Sequence, residues 1–213
     1  MQLFHPENAL WQGINKVLLM LYAGMLWFLC SIPIITMGAA SSALMEVMMK
    51  LAKDQEGYIA SSFFRAFRHN LPKGILTWLP FLISQLLFSV NALYYYLAGP
   101  AFRLQAALFI ILLLFSLGTA AWSFAVTARF EMTAKETLRM ALLLAVRNPG
   151  WTVFIILLQA AALFVCWFFV YLPLLFGAGL PVYVQAVVFN HVLDRHLERG
   201  TITVQEAEEK TEA

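Results

Sequence analysis

LQAALFIILLLFSLGTAAWSFAVTA, Leu104–Ala128, contains no Asp, Glu, Lys or Arg between Arg103 and Arg129. About 20 mostly apolar residues in a helix cross about 30 Å of hydrocarbon, and only helices or closed barrels satisfy their own backbone polar groups there. This stretch is long and apolar enough to cross. So long an uncharged run is unlike the buried helix of a soluble domain, and the bilayer becomes the solvent in which the rest of the chain is read.

Outward from it lie four more such stretches, Ile14–Thr36, Ile75–Leu97, Trp151–Tyr171 and Leu174–Val192. Composition agrees: of 213 residues 62% are hydrophobic and 12% charged, with mean hydropathy +0.76, against roughly 45–50% and 25% in soluble domains. The fold class expected is all-α, a polytopic membrane protein with five transmembrane helices plus two cytoplasmic interfacial amphipathic helices. Residues 1–200 are expected to form a single transmembrane helical domain, and 201–213 an acidic cytoplasmic tail without fixed structure.

Orientation follows from Lys and Arg, which are retained near the cytoplasmic ends of spans. Lys50, Lys53, Arg65, Arg68 and Lys73 follow the first span, Arg129, Lys135, Arg139 and Arg147 follow the third, and Arg195, Arg199 and Lys210 follow the fifth. The other side holds only Lys16 and Arg103 of the chain's 14 cations. The N-terminal end is therefore expected outside and the C-terminal end in the cytoplasm. Glu206, Glu208, Glu209 and Glu212 do not alter this, since acidic residues weigh little in the rule. The basic inner connections suit an anionic lipid leaflet and need no nucleic acid to explain them.

Met1–Gly13 lacks the positive start of a secretory signal, so the first span is expected to stay. Cys30 and Cys166 both fall within apolar stretches and read as packing residues. Trp11, Tyr94, Tyr95, Tyr96 and Tyr171 gather at the outer boundary, Trp78 and Trp151 at the inner one, as an aromatic belt. Trp27 and Trp122 sit deeper and read as packing.

Both long inner connections carry helical patterns. Ala39–Leu51, rich in Ala, Leu and Met, reads as the first helix emerging past a kink at Pro33 to run along or beyond the membrane surface. In Ile59–Asn70, Phe63, Phe64 and Phe67 share one face and Arg65 and Arg68 another, an interfacial helix ended by Leu71–Pro72. In the third connection Thr133 and Glu136 have capping-box spacing, and Leu138, Ala141, Leu142 and Ala145 form a stripe ended by Asn148–Pro149. The parallel between Arg68-His-Asn70-Leu-Pro72 and Arg147-Asn148-Pro149, and between Pro33–Gly38 and Pro173–Gly177, resembles a repeated helix-then-span unit, although five spans do not divide into equal halves.

Chemistry has little foothold. No HExxH, GxSxG or Walker sequence occurs, and His191 and His196, five apart, point about 140° away from one another on a helix. The spans hold no ionisable group in their interiors, which disfavours an ion-coupled carrier. Gln85, Asn91, Gln159, Gln185 and Asn190 remain, as helix-to-helix hydrogen-bonding residues. No catalytic residue, cofactor or metal ligand is assigned, and no enzymatic activity is expected.

Ser31-Ile-Pro-Ile-Ile-Thr-Met-Gly-Ala-Ala40, Asp54-Gln-Glu-Gly-Tyr58 and Ser62-Phe-Phe-Arg-Ala-Phe-Arg-His-Asn70 together resemble the YesL-like family, small bacterial integral membrane proteins treated as a domain of unknown function. The resemblance implies a place in the bacterial cell membrane, in Gram-positive genomes beside carbohydrate ABC importers and polysaccharide-degrading enzymes, with no catalytic residues to carry over. Pro33, Thr36, Gly38, Gly57, Phe63, Phe64, Phe67 and Asn70 are structural in type, with Arg65, Arg68, Arg147, Asn148 and Pro149 as further interaction candidates. The function expected is that of a non-catalytic accessory or assembly subunit, its partners the bilayer and the permease subunits of an oligosaccharide importer. The alternative is a homo-oligomeric transporter or channel for a small solute, with Gly38–Ala43 and Gly177–Gly179 allowing close helix contact.

Overall fold

The proline of Ser31-Ile-Pro33 decides how the chain begins to fold. A residue before proline is driven out of the α region, so α1 (Ala9–Cys30) stops there and the backbone re-enters through a 3₁₀ turn, Ile34–Thr36, into α2 (Met37–Ala52). The Thr36 hydroxyl reaches both the Cys30 and the Pro33 carbonyl at 2.8 Å, covering acceptors left free at the end of α1. α2 then returns alongside α1: Trp27 Nε1 donates to Ser41 Oγ at 3.0 Å, and Lys16 pairs with Asp54 just past the end of α2. The helix of the first apolar stretch thus ends at the turn and the chain reverses, where a kinked helix continuing past Pro33 was expected.

The structure is a computed structural model that describes residues 9–55, 57–168 and 179–198. The start of the last apolar stretch, Tyr171, Pro173–Gly177 and the acidic tail lie outside them, as do the side chains of Trp11, Cys166 and His196. The described residues form helices and connections with no strand. After α2 come α3 (Ile59–Leu97), α4 (Arg103–Arg129), α5 (Ala134–Arg147), α6 (Pro149–Phe168) and α7 (Gly179–Glu198).

α2 does not lie along the surface. Ala39, Ala40, Ala43, Leu44 and Met48 are fully buried, the last three in one cluster with Phe63 of α3, Trp122 and Val126 of α4, and Phe189 and Leu193 of α7. Its sequence explains this: good helix formers give it regularity, while too few polar residues surround its circumference to face water or headgroups.

The interfacial helix expected at Ile59–Asn70 is not separate. It is the first part of α3, which runs 39 residues through Pro72 and Pro80, about 58 Å at 1.5 Å per residue. Proline removes one hydrogen bond and kinks a helix, but both rings are exposed while Phe63, Ala66 and Asn70 on the other side are buried. Packing against α2 therefore carries the helix past Pro72. Phe63 lies in the core, stacked on Phe67 with centroids 6.3 Å apart, and not among headgroups.

Gly99, at φ +116, supplies the left-handed backbone that reverses the chain into α4. α4 returns antiparallel to α3, registered by Ser84···Ser116 at 3.0 Å and by Trp78 with Phe124, 5.8 Å between centroids. The Thr133–Glu136 capping box forms as its spacing predicts, and α6 leaves α5 at 100°. Among the described residues four segments are long and apolar enough to cross a membrane, 13–30, 34–52, 59–97 and 100–129, or five if the bent pair α5–α6 counts as one. The second of these was not among the spans expected.

Candidate functional site

The family-like residues converge where α2 meets α3. Ala39 passes Gly74, and Trp78 seals the contact by donating its Nε1 to the Ile34 carbonyl at 3.0 Å. Small residues let two backbones approach this closely. Pro33 is exposed at the turn, Thr36 ties the turn together, and Gly38 is buried against Trp78. Asn70 is 2% exposed, its Nδ2 without a hydrogen-bond partner among the described residues. Phe64 is 44% exposed, and Arg65 and Arg68 are exposed beside it. In the 53–58 connection positive φ falls on Asp54 (+54), and a Cβ on Gly57 would meet nothing nearer than 3.9 Å.

A second group forms at the α5–α6 bend. Asn148 caps α5 through its backbone N–H and its Nδ2, both donating to the Leu144 carbonyl at 3.0 and 3.1 Å. Pro149 opens α6, where its missing N–H costs nothing. Thr152 Oγ1 accepts from Trp122 Nε1 at 3.0 Å and reaches the carbonyls of Ala145 at 2.9 Å and Asn148 at 3.0 Å, so one hydroxyl holds α4, α5 and α6 together. Hydrogen bonds from the Thr133 backbone and hydroxyl hold the exposed Glu136 carboxyl below the usual glutamate range. Arg147 is exposed.

α5 is amphipathic in an unexpected way. Thr137, Ala141, Leu144 and Ala145 are buried, while Leu142, Leu143 and Val146 are 48, 47 and 60% exposed on the other side. Lys135 and Arg139 occupy the first half of that outer side and Arg147 ends the helix. The outer face is cationic where the helix starts and apolar where it meets α6.

The polar network that sequence reasoning missed sits at the other end of α2. Arg129 of α4 and Lys53 both pair with Asp194 of α7, the second at 3.3 Å. Asn190 donates its Nδ2 to the Met49 carbonyl at 3.1 Å and accepts from Arg129 at 3.4 Å. The spacing of four between Asn190 and Asp194, one helical turn, was the available signal. Asn190 joins two helices as expected, whereas Asn91 bonds the Leu87 carbonyl of its own helix and the Gln85 Nε2 finds no partner among the described residues.

Among the described residues no three His, Cys, Asp or Glu side chains lie together in a way that could hold a metal. A shallow pocket between α2 and α3, lined by Lys50, Gln55, Gly57 and Ser62 among others, has about 20 Å³ of space, room for a water and far from the several hundred Å³ of a small-molecule site.

A family model described as "Protein of unknown function, DUF624" matches residues 20–92, from the middle of α1 to the last turns of α3. The match takes in the α2–α3 contact and every residue from Pro33 to Asn70 discussed above, and stops short of the α5–α6 bend. No curated protein and no solved structure matches the chain.

Proposed function

We propose that this chain is a YesL-like accessory subunit of an oligosaccharide ABC importer in the bacterial cell membrane, binding its partner and catalysing nothing, with its C-terminal end in the cytoplasm. The observation that carries the reading is the outer face of α5. Of the two amphipathic helices expected to be free to dock, one has its aromatic face largely packed against α2, while α5 keeps Leu142, Leu143 and Val146 exposed beside Arg139 and Arg147. An apolar strip edged with cations suits a partner helix that is itself apolar with acidic residues beside its apolar side. The YesL-like name rests on the motifs at 31–40, 54–58 and 62–70, all within the matched residues.

Affinity purification of the importer from native membranes in mild detergent tests the proposal. Co-recovery of this chain is expected; an intact importer recovered without it overturns the reading.

A homo-oligomeric transporter is the second reading, for which the apolar outer side of α3, with Ile83, Leu86, Leu87 and Val90 exposed, is the surface a second copy would cover. The 20 Å³ pocket between α2 and α3 is too small to hold a sugar. Oligosaccharide uptake into liposomes holding only this protein would favour the second reading, and inert liposomes the first.

A further inference from the structure

We infer that α1 and α2 enter and leave the membrane together as a hairpin, so that the N-terminal end of α1 shares an aqueous compartment with the 53–58 connection and with the end of α7. Two contacts fix the direction of α2 against α1. Trp27 bonds Ser41 near the closed end, and Lys16 pairs with Asp54 at the open end. Between them the chain reverses through the Pro33 turn, so whatever depth the pair reaches, it contributes an even number of crossings. A single crossing by the stretch 14–36, which would place the N-terminal end opposite the basic connections, is not compatible with a Lys16–Asp54 ion pair.

The same end gathers the other charges. Lys53 meets Asp194 at 3.3 Å, and Asp194 also pairs with Arg129. Five ionised side chains from α1, the 53–58 connection, α4 and α7 therefore lie at one level. Ionised groups are costly in hydrocarbon, so this level is a membrane boundary or the water beyond it. Lys16 changes sides in the charge count, leaving Arg103 as the lone cation at the opposite end among the described residues. The asymmetry is sharper than the sequence count gave, and it places the hairpin's open end in the cytoplasm.

Cysteine accessibility tests this in a background with Cys30→Ala and Cys166→Ala. Gly13→Cys, Gly57→Cys and Ala101→Cys are all at exposed positions, and a side chain at Gly13 meets nothing within 4 Å. With a membrane-impermeant maleimide, Ala101→Cys should label in intact protoplasts, and Gly13→Cys and Gly57→Cys only after permeabilisation. Labelling of Gly13→Cys together with Ala101→Cys, while Gly57→Cys stays protected, overturns the inference. Carbodiimide coupling in native membranes gives a second readout with the unaltered chain. A Lys16–Asp54 linked peptide is expected, and its absence where Lys53–Asp194 does couple likewise overturns the hairpin. Neither readout depends on any partner, so failure of the importer proposal leaves this result distinguishable.

Discussion

Gly38 and Trp78 meet with no room for a methyl group between them: a Cβ on Gly38 would stand 2.3 Å from the Trp78 Cβ and 2.5 Å from the Gly74 carbonyl oxygen. The contact joins α2 to α3 inside the segment matched by the family model. Forcing a methyl into it means moving backbone, because the neighbour is a Cβ and a carbonyl and not the far end of a flexible side chain. Gly38→Ala should lower stability by about 1–3 kcal/mol, the usual range for overpacking, and Gly38→Val by more. Thermal unfolding in detergent measures both, with Gly13→Ala, which meets open space, as the control expected to change little.

Thr152→Val tests the three-helix junction. The change keeps the shape of the side chain but strips the hydroxyl that accepts from the buried Trp122, leaving the indole N–H unpaired at a cost of about 1–3 kcal/mol. Trp122 fluorescence should shift as its hydrogen bond is lost, and the unfolding midpoint should fall.

The Arg129–Asp194 pair is intermediate in burial, with side chains 20 and 41% exposed. A double-mutant cycle with Arg129→Gln and Asp194→Asn should give a coupling of about 1 kcal/mol, between an exposed pair and a buried one. High salt should shrink it. A coupling indistinguishable from zero would remove the network as a tie between α4 and α7.

Glu136 gives a pH dependence of known sign. Its carboxyl is held below the ordinary glutamate range in the folded chain by the Thr133 hydrogen bonds, so the folded state favours the ionised form. That contribution is present above the unfolded value and is lost as the pH falls through the lowered folded one. Protection of the first-turn amides of α5, taken relative to their intrinsic exchange rates at each pH, should fall in acid, and Glu136→Gln should flatten the dependence. Protection that stays the same between neutral and acid pH would contradict the cap.

Much of the architecture could be read from residue pattern. The apolar stretches of α3, α4 and α6, the capping box of α5 and the interhelical role of Asn190 all rest on local signals: hydrophobic length, cap spacing, a polar group within a span. What failed were readings where tertiary packing outweighs a local rule. Pro72 reads as a stop, yet α3 continues through it because Phe63 and Ala66 are held against α2. Ala39–Leu51 reads as a surface helix because it follows a span, yet its partners are Phe63, Trp122 and Phe189, distant in sequence. The Lys53–Asp194–Arg129 pairing went unread for the same reason: its members lie on three separate parts of the chain, and only the fold brings them together.

The docking face of α5 is where the account is most exposed. A photoreactive phenylalanine analogue placed at Leu142 and, separately, at Val146, irradiated in native membranes and followed by mass spectrometry, reports what covers that face. The account predicts adducts with the permease subunit of an oligosaccharide importer from both positions. Adducts with lipid alone, or with a second copy of this chain, would contradict it.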